Sequence, residues 1–223
     1  MSTANDIGGR LREARQASGL SLRKVAKELG VSASLISQVE TGKTQPSVAT
    51  LYGFATLLAI SVDDLLGLQT DRKLASALDP HLDLQRAGEN PSIEMENGVR
   101  WERLAMGRDN AADALLVTYQ PGASSSLEGK LTQHTGSEYA YVLEGEITLQ
   151  LEFDSYVLKQ GDSIHFESTR PHMFANHGDA RAVGVWFVLG RREQIPVTAD
   201  MTASGQRSVR SVVEVLARLD ALD

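Results

Sequence analysis

The apolar pattern changes character once along the chain, and no single layer of secondary structure accommodates both halves. From residue 7 to 67, apolar side chains recur at helical spacing. After about residue 90 they fall in short β-branched or aromatic runs cut by Gly, Pro and Asp. A helical stripe and a sheet face bury against different partners, so the two halves read as separate domains. Between them "DPHLDLQRAGENPS" is rich in turn formers and reads as a linker. The 223 residues suffice for two such units.

The front half repeats one grammar: a serine cap, an apolar stripe, a glycine stop. Ile7, Leu11 and Ala14 begin a first helix. Ser21 caps a second, with Leu22, Val25, Ala26 and Leu29 on one face and Gly30 as its end. Ser32 caps a third, with Leu35, Ile36 and Val39 inward and Gly42 after it. Ser47 and Ser61 cap two more, the last stopping at Gly67. Five short helices with tight connections result. The segment "SLRKVAKELGVSASLISQVETG" is helix, three-residue turn, helix, with small Ala26 at the crossing.

The third helix leaves Ala33, Ser34, Ser37 and Gln38 on its outer face. These side chains are short or amide-bearing, so the helix can approach a major groove closely. Gln38 suits bidentate pairing with adenine, and the serines suit base edges or phosphate. Lys43 and Thr44 follow, where phosphate contacts are suited. Arg15 and Glu40 are placed to form a buried pair between the first and third helices. The net charge of −7 does not oppose DNA binding, because residues 1–50 hold seven Lys/Arg against four Asp/Glu. The acidic excess belongs to the rear.

In the rear half, short strands at about ten-residue spacing suggest a sandwich or barrel. The tail "QRSVRSVVEVLARLDALD" returns to helical spacing, so an amphipathic helix is expected over 207–222, capping its own barrel or serving a dimer. There is no cysteine, which excludes disulfides and thiolate chemistry. No apolar run approaches the ~20 residues that span a bilayer. The N-terminus has no apolar signal core. A cytoplasmic protein without a membrane partner is expected. His134 and Glu138 share strand parity with Thr132, and His172 lies on a later strand. Two imidazoles and a carboxylate with open positions suit Fe(II), Mn(II), Ni(II) or Zn(II). His81, His165 and His177 read as ordinary surface or core residues.

Residues 7–67, through "GLSLRKVAKELGVSASLISQVETGKTQPSVATLYGFATLLAISVDDLL", resemble the lambda-repressor-like helix-turn-helix family called XRE. The resemblance places Ser32, Ala33, Ser34, Ser37 and Gln38 at DNA-facing positions. It places Lys43 and Thr44 in the phosphate-contacting loop, and Arg15–Glu40 in the internal ion pair. Leu22 departs from the pattern, because many members have glutamine at this phosphate-contacting cap. Residues 91–190 resemble the cupin barrel. "HTGSEYAYVLEG" fits the second half of its first motif, and "GDSIHFESTRPHMFAN" fits its second through Gly161, His172 and Asn176. Thr132 stands where the family has its first histidine, leaving His134, Glu138 and His172 as ligands. Glu167 and Thr169 replace a proline and a glycine, as loop variation.

The expected fold is multidomain α and β: a five-helix helix-turn-helix domain over 1–68, a linker over 69–90, a jelly-roll-like cupin barrel over 91–190, and an extension with a terminal helix over 191–223. The resemblance implies a homodimeric transcriptional regulator. It reads double-stranded operator DNA and senses a small-molecule effector, a divalent metal ion, or both. Thr132, Gln133, Tyr139, Tyr141, Trp101, Arg103, Phe174 and Trp186 are candidate pocket residues. A cupin metalloenzyme of oxygenase or isomerase type with a DNA-binding anchor is the rival reading. Thr132 and the lack of an extra acid–base pair argue against it. A third reading is constitutive DNA binding with a barrel that only dimerises.

Overall fold

A computed structural model describes residues 7–58, 60, 62–66, 83–105, 112–126 and 129–190. The Ser61 cap, the Gly67 stop, most of the linker, His81 and the helix expected over 207–222 lie outside the described residues.

The head contains α1 (Ile7–Ala17), α2 (Leu22–Leu29), α3 (Ala33–Glu40), α4 (Val48–Leu58) and α5 (Val62–Leu66). Each start has its physical cause. The Ser21 hydroxyl accepts from the Lys24 amide, Ser32 from Leu35, and Ser47 from Thr50, at 3.1–3.2 Å. Gly30 ends α2 in the left-handed conformation, with φ 67°. α3 closes through Thr41, whose hydroxyl donates to the Ser37 carbonyl at 2.8 Å, and Gly42 follows with φ 69°.

Ile7, Leu11, Val25, Ile36, Val39, Leu51 and Phe54 are buried in one core. The Arg15 guanidinium spans from α1 to α3, donating to both Glu40 carboxylate oxygens at 2.5 and 2.9 Å. Its third donor reaches the Leu20 carbonyl at 2.8 Å. Gly8 is a constraint the sequence pattern did not reveal. A Cβ there would lie 2.3 Å from the Val39 carbonyl oxygen, so α1 and α3 approach as closely as they do because the position is glycine.

The rear unit is two antiparallel sheets. The larger runs β1 (Ser92–Glu94), β2 (Val99–Arg103), β3 (Ala112–Tyr119), β9 (Ala182–Leu189), β4 (Ser137–Glu144) and β7 (Ser163–Glu167). The smaller runs β6 (Asp154–Lys159), β5 (Glu146–Leu151) and β8 (His172–Ala175). Strand alternation sets the inner faces. Glu138, Ala140 and Val142 of β4 point inward, as do Trp186 and Val188 of β9, and Leu149 and Phe174 from the facing sheet. β1 is an addition to the expected strands. Its Ile93 is fully buried, although Ser92 ends the segment that reads as linker. Gly145 turns β4 into β5 with φ 75°, and a Cβ there would lie 2.5 Å from the Arg181 carbonyl oxygen.

The Arg15–Glu40 pair gives the first prediction. Glu40→Ala strands a buried guanidinium and should lower the stability of the head by about 3 kcal/mol. Thermal melting followed by circular dichroism reads this; an unshifted transition would show that solvent already screens the pair.

Candidate functional site

Three polar side chains converge inside the barrel. His134 comes from the segment before β4, Glu138 from β4 and His172 from the start of β8. All three are buried, and their ligand atoms lie within 4.8 Å of one another. His134 and Glu138 do not share one unbroken strand, because Gly136 intervenes with φ 103°. The shared orientation is restored by the neighbouring chain. The His134 amide donates to the Ser168 carbonyl, and the Ser168 amide to the Gly136 carbonyl, both at 2.9 Å.

The tautomers follow from the partners. A carbonyl oxygen only accepts, so the imidazole nitrogen facing it carries the proton. His134 Nδ1 meets the Thr135 carbonyl at 3.1 Å, and His172 Nδ1 meets the Arg170 carbonyl at 2.8 Å. Both Nε2 atoms are thereby aimed at Glu138 Oε1, at 2.7 and 3.1 Å. A nitrogen lone pair facing a carboxylate oxygen is repulsive unless a cation, a proton or a metal, lies between them. Burial pushes the Glu138 carboxyl up, but the hydrogen bonds and charges of His134 and His172 outweigh it and hold it at about 2. Burial pushes the His172 imidazole down, yet Glu138 leaves it raised above its ordinary value. Burial, with the Glu138 charge, pushes the Tyr119 hydroxyl up. Two imidazoles oriented by backbone carbonyls beside a charged carboxylate fit a divalent metal ion.

Thr132 stands beside this cluster. It pairs with His172 as an isolated antiparallel bridge, so their side chains are direct cross-strand neighbours. The Thr132 hydroxyl donates to the His172 carbonyl at 3.4 Å. A cavity of about 30 Å³ lies against Glu138, His172 and Thr132, walled by Trp101, Phe174 and Trp186. That volume suits an ion or a water molecule. Outside it opens a cleft of about 450 Å³, a small-molecule volume, between the head and Ser126 with Lys130–His134. Gln133 is exposed and lines this cleft.

Three of the candidate pocket residues take other places. Tyr139 and Tyr141 have the opposite strand parity to Glu138, so they lie on the outer face of the sheet, 42% and 48% exposed. Tyr139 stacks on His165 there, with ring centroids 4.3 Å apart. Arg103 is buried, but its guanidinium turns to the neighbouring Leu104 carbonyl rather than lining either space. Tyr52, Val48 and Tyr119 do line the inner cavity and were missed. Tyr119 was legible from β3 parity, since Leu115, Val117 and Tyr119 alternate inward. Tyr52 was not, because it belongs to the head.

On the head, Ser32, Ser34 and Gln38 are exposed along α3, while Ala33 and Ser37 are half-buried. Lys43 is exposed and Thr44 half-buried in the following turn.

Helical head and antiparallel barrel define a helix-turn-helix protein with a cupin domain. Residues 6–67 match the helix-turn-helix domain family and residues 115–188 the cupin domain family. The HTH-type transcriptional regulator PuuR of Escherichia coli is 31% identical over 170 residues, covering 76% of this chain and 86% of PuuR. The chain belongs to this family of XRE-type, DNA-binding transcriptional regulators that carry a cupin domain. The regulator SutR of the same organism is 24% identical over 180 residues, covering 76% of this chain and 86% of SutR. An HTH_3 family transcriptional regulator from Vibrio cholerae shares the fold, with a TM-score of 0.59, 24% identity and coverage of 84% of this chain and 96% of that one.

The electrostatics of the cluster are testable. Glu138→Gln should lower the titration midpoint of His172, followed by NMR of its ring. An unchanged midpoint would mean that Glu138 is not what raises it.

Proposed function

We propose that this regulator reads a specific double-stranded operator through α3 and adjusts its affinity when the barrel binds a divalent metal ion, a small-molecule effector, or both. The observation that carries the reading is the buried convergence of His134, Glu138 and His172 in a chain that also presents an open recognition helix. Ser32, Ala33, Ser34, Ser37 and Gln38 face the major groove, and Lys43 and Thr44 the phosphates. His134, Glu138 and His172 hold Zn, Fe, Ni or Mn. Thr132 marks a coordination position left to water or effector. The effector shifts the population of one arrangement of head and barrel by binding it better.

The working division is 1–68 for the head, 69–90 for the linker, 91–190 for the barrel and 191–223 for the extension. The protein acts in the cytoplasm, with its operator. It acts as a homodimer, as half-sites about 34 Å apart require. The apolar outer face of β4 and β9 supports this, with Tyr139, Tyr141, Leu143, Phe187 and Leu189 all exposed. A sensor is favoured over a metalloenzyme because, among the described residues, the titratable walls of the inner cavity apart from Glu138 and His172 are the phenols Tyr52 and Tyr119. No helix among the described residues is long and apolar enough to cross a membrane.

Two measurements test the halves separately. Against a selected operator, Gln38→Ala should relax base preference. Lys43→Ala should weaken all sequences alike and reduce the salt slope by about 1. Unchanged binding in both variants would remove α3 and its following turn from the DNA interface. In the barrel, Co(II) should bind the wild type, with an absorption band from the bound ion, and at least about 100-fold more weakly to Glu138→Gln. Equal affinity in the two proteins would place the ion elsewhere.

A further inference from the structure

Helix α4, "VATLYGFATLL", has no charged residue, and a helix without a polar side buries more than one face. Leu51, Phe54, Ala55 and Leu58 enter the core of the head. Val48 and Tyr52, four residues apart and so neighbours on the helix surface, turn to the barrel and line the inner cavity with Glu138 and His172. The Tyr52 ring stacks on the His134 imidazole, with centroids 4.9 Å apart and planes 20° apart. It also lies 4.9 Å from the Trp101 ring. The Ala49 amide donates to the Ser125 carbonyl at 3.1 Å, fixing the start of the helix on the barrel. Tyr52 and Thr132 line both the inner cavity and the outer cleft, so they form the wall the two spaces share.

We propose that the DNA-binding head completes the barrel's site: Tyr52 covers the His134 ring where it edges the cleft, and a molecule passing from the cleft to Glu138 and His172 must displace the Tyr52 ring and α4 with it. This rests on the reading of the barrel as the sensing half. The ligand class is a small organic molecule. Its apolar body lies in the cleft against Leu29, Leu35 and Leu57, and its polar end enters past Thr132. The displacement has a route to the recognition helix. α4 packs tightly on α2, since a Cβ on Gly53 would lie 2.6 Å from the Leu29 Cδ2. The helix that presents Ser34 and Gln38 to solvent also gives Leu35 to the cleft. Packed helices shift as units, so a moved α4 re-aims α3.

The test is the reactivity of single histidines towards diethylpyrocarbonate in the metal-free full chain, read by mass spectrometry. His177, exposed in the barrel away from the cleft, is the internal standard. Tyr52→Ala should raise the His134 modification rate about tenfold while His177 keeps its rate. Tyr52→Phe, which keeps the ring, should behave as wild type. If Tyr52→Ala does not fold, Tyr52→Leu gives the same contrast, since it retains an apolar side chain without a flat ring. Equal His134 rates with and without the ring overturn the proposal. No metal is present in this experiment, so failure of the cover is distinguishable from failure of metal binding, which the Co(II) titration reads.

Discussion

The structure depends on one helix being buried from two sides. α4 gives Leu51, Phe54, Ala55 and Leu58 to the head and Val48 and Tyr52 to the mouth of the barrel. Each contact draws on the same physics, the removal of apolar surface from water, and together they join head and barrel in one continuous buried cluster. The head is thus docked through the side of an element it needs for its own folding. A change at the barrel mouth therefore reaches a helix that cannot move without repacking its neighbours.

Inside the barrel the governing interaction is a buried carboxylate shared by two imidazoles. An isolated charge at that depth is costly, and Glu138 stays ionised because His134 and His172 both point at it. Their orientation is set by backbone carbonyls, which commit each Nδ1 and leave each Nε2 for the shared centre. The site offers a donor set that could hold a divalent metal ion. Its small inner volume separates what can sit at the centre from what can occupy the cleft outside.

Much of this is legible in the sequence. The serine caps announce helix starts because an unpaired backbone amide needs an acceptor, and Ser21, Ser32 and Ser47 supply one. The Arg15–Glu40 pair was legible because two opposite charges on otherwise inward faces need each other. His134, Glu138 and His172 were legible through two motifs with fixed internal spacing. The outward turn of Tyr139 and Tyr141 was legible too, since both alternate with Glu138, but an aromatic near a site reads as a wall until parity is applied. β1 escaped because three residues among turn formers carry no period. Gly8 escaped because a close approach leaves no pattern along one chain. The lack of charge in α4 was visible, yet a single core would also have absorbed it.

The sequence by itself determined the elements: where helices begin, where strands alternate, and which groups have the chemistry to bind DNA or a metal. These follow from local hydrogen bonding and from the period of apolar residues, and both are properties of neighbouring positions. Tertiary structure alone decided that Thr132 stands beside His172, that two imidazoles aim at one carboxylate oxygen, and that a tyrosine of the head lies against the barrel's histidine. Those are contacts between segments far apart in the chain. Their geometry is fixed by how the head packs on the barrel, and no local pattern encodes it.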